Sequence, residues 1–204
     1  MPLRATRQLS TAQVAPPIRR TLASREPLLL PDVGRRAAVL VLLHDLGGAA
    51  HLTLTKRSEQ LTLHGGQISL PGGRREPHDV DLAATALRET AEEVGVTAED
   101  VELLGRLDDV ETMASGYRVS PFVGRIVGVT RPRVRDRFEV ARVMEVPLHA
   151  LVDADARVPH DAGVRTLRYP LDGEDVWGAT ARILRDFVAV VRRAVPRDWE
   201  SRAG

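Results

Sequence analysis

The run RRAAVLVLLHD, residues 35–45, limits the fold more than any other part of the chain. It is rich in Val and Leu and does not alternate with polar residues, which is the pattern of a strand covered on both faces. The sheet it joins therefore needs packing layers on either side. LGGAA then turns the chain, and HLTLTKR alternates as a half-buried strand does. VELLGRLDDVET, GYRVSPFVGRIVGV, FEVARVMEVPL, RTLRYPL and EDVW read as further strands. The stretch from Ser58 to Gly73 follows neither period and reads as a structured loop. Two segments carry the helical period instead. Leu82, Ala83, Ala86, Leu87, Thr90, Ala91 and Val94 form a stripe on a helix over Asp79–Val94, stopped by Gly95. Ala181, Ile183, Leu184, Phe187, Val190 and Val191 do the same in ATARILRDFVAVVRRAV. The expected class is α+β, an α/β/α sandwich with a mixed β-sheet between helices.

The chain's 204 residues, 43% of them hydrophobic and 28% charged, suit one ordinary domain. Apolar runs fall short of the roughly 18 residues that span a bilayer, and the N-terminal segment lacks a secretory pattern. With no cysteine, disulfides, thiolate metal sites and thiol catalysis are excluded. A net charge of +1 argues against nucleic acid as a partner, so an anionic ligand must be held locally. No membrane partner is expected. The segment up to about Asp32 reads as an arm or a short docking helix. The terminal SRAG is not a peroxisomal address, which leaves a cytoplasmic location as the expectation. Oligomeric state is not legible.

Opposite the apolar stripe of the first helix lie Thr85, Arg88, Glu89 and Glu92, with Glu93 at the boundary. Three carboxylates so placed repel one another and are satisfied by a divalent cation. Oxygen donors without His or Cys favour Mg2+ or Mn2+ over zinc. Taken alone, an R-E-T-A-E-E string is more often a solvated acidic face, because helices are full of Glu.

Its context is PGGRREPHDVDLAATALRETAEEVGV, which resembles the Nudix box: Gly, five residues, Glu, seven residues, then Arg-Glu-apolar-x-Glu-Glu-x-Gly-apolar. Residues Arg88 to Val96 match the second half, with Thr90 at the first apolar position. The first half departs, because Asp79 replaces Glu and eight residues separate it from Arg88. This Asp form with one added residue looks like the coenzyme A pyrophosphatase branch of the Nudix hydrolases. LTLTKRSEQLTLHGGQISLPGG resembles the second signature of that branch through Leu54, Thr55, Arg57, Ser58, Gly66, Pro71, Gly72 and Gly73. Thr62 and Leu70 depart from it, where a basic residue and Phe are usual.

The resemblance implies a Nudix fold over residues 33–196, between an arm (1–32) and a tail (197–204). It implies Mg2+ or Mn2+ held by Gly73, Glu89, Glu92 and Glu93. Arg88 would hold the carboxylates in place, and Asp79 would cap the helix or hold the loop. Arg57, Ser58, His64 and Gln67 are the expected substrate-binding residues. Glu139 is the candidate for a further ligand or the water-orienting base, with Glu145 an equally acidic neighbour. Trp177 is expected to anchor the last helix rather than stack on a base. The implied reaction is hydrolysis of the diphosphate of coenzyme A or a derivative, giving adenosine 3',5'-bisphosphate and 4'-phosphopantetheine. A Nudix pyrophosphatase for another diphosphate such as ADP-ribose, and a non-catalytic nucleotide-binding Nudix module, are the alternatives.

Overall fold

The computed structural model describes residues 9–31, 34–60, 65–113, 115–159 and 167–195. Helix α1 (Thr11–Ala23) precedes the hairpin of β1 (Arg36–Leu46) and β2 (Ala49–Arg57). Next come β3 (Ile68–Ser69), β4 (Gly72–Arg74) and α2 (Leu82–Val94), then β5 (Val101–Arg106), β6 (Val110–Glu111) and β7 (Arg118–Ile126). The chain continues through β8 (Val140–Pro147), α3 (Leu148–Ala156), the hairpin of β9 (Arg168–Leu171) and β10 (Glu174–Trp177), and α4 (Gly178–Ala194).

β1 is central, running parallel to β7 from Arg36 to Leu43 and antiparallel to β2 only near their shared turn. Beyond Leu43 and Leu52 the hairpin opens, and the glycine-rich segment fills the gap. β4 pairs with Ala37, Ala38 and Val39 of β1, while β3 pairs with Thr55 and Lys56 of β2. β8 lines the other side of β2, and β5 and β6 pair with β7. The sheet is mixed, as the sequence implies.

Both faces of β1 are covered. Ala38, Leu40 and Leu42 pack with Ala86, Val94 and Val96 beneath α2. Ala37, Val41 and Leu43 face a larger core that takes side chains from α1, α3 and α4, including Ile18, Leu151 and Phe187. All six residues expected to turn inward from α4 are buried. Burying a side chain of this size contributes about 1.5–3 kcal/mol, so the unbroken apolar run of β1 is what makes a three-layer arrangement stable.

The structure revises several local expectations. Residues 58–73 are not all loop, since β3 and β4 are short ladders that a two- or three-residue pairing cannot announce by periodicity. α2 begins at Leu82 rather than Asp79, because Asp81 accepts the Ala84 N–H at 2.7 Å and caps it. Helix α3, missed in the sequence, follows Pro147 and buries Leu148, Leu151, Val152 and Ala154. In α1, Val14, Ile18 and Leu22 are buried. Asp45 at the end of β1 accepts hydrogen bonds from the Thr11 N–H (2.8 Å) and hydroxyl (2.6 Å), seating that helix on the sheet. Among the described residues no helix is long and apolar enough to cross a membrane.

Candidate active site

The inserted glycines bring the first group of functional residues together. Gly72 has φ 148° and sits so close to β1 that a side chain there would overlap the Ala38 carbonyl. A methyl group on Gly73 would overlap the Glu89 carboxylate. The Gly72 N–H donates to Glu93 Oε2 at 3.2 Å. Two carboxylates one turn apart on α2 thus lie against the backbone of β4.

Their electrostatics suit a bound cation. Glu93 is 3% exposed, and burial pushes its carboxyl up to about 8, against the opposing pull of the Gly72 N–H and of Arg57; nearby Glu89 and Glu139 add to the rise. Glu89 is also raised, chiefly by burial and further by Glu92 and Glu139, with Arg88 opposing. Three carboxylates, Glu89, Glu93 and Glu139, therefore act on one another at one end of the sheet. A divalent cation held between Glu89, Glu93 and the glycine backbone would offset both the burial and the mutual repulsion.

Arg88 organises the surroundings. Its guanidinium donates to both oxygens of Asp79 (3.0 and 3.1 Å), to Glu92 Oε2 (3.1 Å) and to the Arg74 carbonyl (2.9 Å), and it ion-pairs with Glu89 at 3.1 Å. Asp79 also accepts the Glu76 N–H (2.8 Å) and the Thr85 hydroxyl (2.9 Å). The Arg88 hydrogen bonds hold Asp79 well below the usual carboxylate range despite its burial. Asp79 therefore fixes the loop rather than capping the helix.

The expected convergence of three helix carboxylates needs correcting. Arg88 draws Glu92 outward as an i,i+4 pair, and the Glu92 side chain is 58% exposed. Among the described residues, no group of three or more His, Asp or Glu side chains stands close enough together to hold a metal ion. The buried stripe of α2 is also rotated from the expected one, with Thr85, Ala86, Thr90, Glu93 and Val94 inside.

Glu139 and Glu145 are separated by the structure. The Glu139 carbonyl accepts the Ser58 N–H at 2.8 Å, which fixes this residue at the carboxylate end. Glu145, in β8, lies six residues further along the chain, about 20 Å away at strand rise, where its carboxylate hydrogen-bonds with His44 Nε2 at 2.9 Å. A register shift between Lys56 and Arg57 in the β2–β8 ladder bends the chain where Arg57 leaves it, as bulges near sites do.

A cavity of about 610 Å3 opens beside Gly72 and Gly73, a size typical of small-molecule sites. Arg57 and Gln67 line it, as expected of substrate contacts. Ser58 does not; it is 6% exposed, with its hydroxyl accepting the Gln60 N–H at 3.4 Å. His64 lies outside the described residues. Trp177 is 45% exposed and lines the cavity, so it does not act as the expected buried anchor. The sequence reading also missed Arg35, Arg74, Tyr117, Arg168 and Arg182 on this wall. The guanidinium groups of Arg35 and Arg74 lie over the Tyr117 ring, 5.6 and 5.5 Å from its centroid. These residues are far apart in sequence, so no local pattern brings them together.

Glycines against a glutamate helix, beside a cavity lined by arginines, give an arrangement suited to an anionic ligand and a cation. A NUDIX domain family model matches residues 34–167, so the chain belongs to the Nudix family. It is 37% identical over 162 residues to a protein named "Uncharacterized Nudix hydrolase NudL" in Yersinia pestis (strain Pestoides F), covering 77% of this chain and 80% of that one. The same figures hold for a protein of that name in Yersinia pseudotuberculosis serotype O:1b (strain IP 31758). The MutT protein from Methanosarcina mazei Go1 superposes with a TM-score of 0.52 at 20% identity, over 81% of this chain and 97% of that one. A MutT/nudix family protein from Enterococcus faecalis gives 0.52 at 18% identity, over 89% and 74%. The fold is the Nudix fold, and the enzyme class is a Nudix pyrophosphatase. Nudix hydrolases generally use divalent ions such as Mg2+ or Mn2+.

Proposed function

We propose that this enzyme hydrolyses the diphosphate of coenzyme A or a close derivative, in the cytoplasm, releasing adenosine 3',5'-bisphosphate and 4'-phosphopantetheine. One observation carries the reading. Arg57 and Gln67, from the signature upstream of the box, line the same cavity as Gly72 and Gly73, whose backbone touches Glu93 and Glu89.

In this proposal Glu89, Glu93 and the Gly73 backbone would hold the essential divalent ion, and Glu92, paired with Arg88 in the structure, would contribute to a further one. A divalent ion there would supply positive charge against the phosphate oxygens and favour deprotonation of the attacking water. Arg57 directs its guanidinium to a non-bridging phosphate oxygen. Glu139 accepts the proton of the attacking water at its carboxylate. Arg88 touches no substrate; it holds Asp79, Glu89 and Glu92 in place. Gln67 offers its amide to the polar part of the substrate, and His64 is assigned a substrate contact from the signature alone.

The test is incubation of the purified protein with coenzyme A and Mg2+ or Mn2+, with both products identified by mass. Values of kcat/KM for coenzyme A, ADP-ribose and a dinucleoside polyphosphate, compared side by side, decide the substrate. A higher value for either of the latter two overturns the coenzyme A reading. Failure to cleave any of them would favour a nucleotide-binding module. Glu93→Gln is expected to lower turnover by about 10^2-fold or more.

A further inference from the structure

The cavity carries more positive charge than a diphosphate uses. Arg35, Arg57, Arg74, Arg168 and Arg182 line it, against Glu111 as the carboxylate among its described lining residues. Arg57 lies at the carboxylate end, where it acts on Glu93. Arg35 and Arg74 are stacked on Tyr117. Arg168 and Arg182 stand on the other wall, built by the β9–β10 hairpin and the first turns of α4, and the reaction described above gives them nothing to do.

That wall is fixed in shape. Tyr169, Leu171 and Val176 bury one face of the hairpin, and Lys56, the sole lysine, ties its far strand to β2 through Glu174 at 2.7 Å. Arg168 is the cross-strand partner of Trp177, which places the two side chains on one face with Cβ atoms about 5 Å apart. Arg182 donates to the Glu111 carbonyl at 2.9 Å, which holds its guanidinium at the cavity edge. Arg168 has no side-chain hydrogen bond or ion pair among the described residues. An exposed indole beside one guanidinium and a second, oriented one fits a base with a nearby phosphate.

We propose that Arg168 and Arg182, beside Trp177, form a second anion subsite. It recognises a phosphomonoester on the ribose of a nucleoside diphosphate derivative. This deepens the reading given above and rests on it: in coenzyme A the group recognised is the 3'-phosphate. Trp177 supplies the stacking face for the base. Selectivity for a 3'-phosphorylated nucleotide then comes from the β9–α4 wall and not from the Nudix helix.

The test compares coenzyme A with 3'-dephospho-coenzyme A in kcat/KM, and adenosine 3',5'-bisphosphate with AMP in calorimetric binding. The wild-type protein is expected to prefer the 3'-phosphorylated member of each pair by about tenfold or more. Arg168→Gln shrinks that ratio toward one, Arg168→Lys restores part of it, and Arg182→Gln also reduces it. An unchanged ratio in a folded Arg168→Gln protein, or equal treatment of both members by the wild type, overturns the subsite. A binding preference without hydrolysis of coenzyme A upholds the subsite and refutes the reaction. Hydrolysis without any preference does the reverse.

Discussion

Gly73 faces Glu89 so closely that the glycine's missing methyl group is the space the carboxylate occupies. Its backbone is not in the left-handed region, so alanine can adopt the same dihedral angles. Gly73→Ala is therefore expected to spare the fold and displace Glu89. Turnover should fall by about 10^2-fold, the usual scale for a misplacement near 1 Å. A steady-state assay with a Mg2+ titration checks this, alongside a melting curve; full activity in the variant would remove Glu89 from the site.

Asp79 gives a pH dependence with a defined sign. Its hydrogen bonds from Arg88 depress its folded-state pKa below the ordinary value of 3.8. Below that value the unfolded chain takes up the proton before the folded one does. The pair's contribution is thus complete above the unfolded pKa and is lost as pH falls through the folded one. Asp79→Asn should cost about 1–3 kcal/mol near neutral pH and flatten the acid limb of stability. Denaturant midpoints measured from pH 6 down to pH 3 read both effects, and parallel curves for the two proteins would contradict the assignment.

Glu139 and Glu145 should part company when mutated. Glu139→Gln is expected to lower kcat by about 10^2-fold, the lower end of the range for a lost acid–base partner. Glu145→Gln, on the far part of β8, should keep kcat within about twofold, as remote changes commonly do. Equal losses in the two variants would refute the placement of the base at Glu139.

Much of this arrangement is written in the chain, and some is not. The apolar run of β1 announces two covered faces, and the Arg88–Glu93 string with its glycines announces the carboxylate helix. What it cannot announce is rotation about that helix. Thr85 and Glu93 turn inward because the loop offers Asp79 and the Gly72 N–H as partners, whereas Leu87 is only partly buried. Glu92 leaves the cluster because Arg88 is a stronger partner than two other carboxylates. The cavity wall was illegible for another reason: Arg35, Tyr117, Arg168 and Arg182 meet only through the β1–β7 pairing and the β9–β10 hairpin.

Arg57 tests the link between cavity and carboxylates. Arg57→Gln should lower kcat/KM by about tenfold or more, the scale of a lost charge-assisted hydrogen bond. With one cation fewer facing Glu93, the variant should also need a different Mg2+ concentration for half-maximal rate. A rate curve that overlays the wild type in both substrate and metal would remove Arg57 from the site.

The wedge of β3 and β4 in the open hairpin has a bearing on motion. Glycine-rich segments ordinarily exchange their amide protons with water quickly, but here the backbone of residues 72–74 is knitted to Ala37, Ala38 and Val39. Opening it means unzipping the middle of the sheet. The alignment between the glycine backbone and the α2 carboxylates is thus as long-lived as the domain itself, and whatever must yield for substrate to enter and products to leave lies elsewhere on the rim.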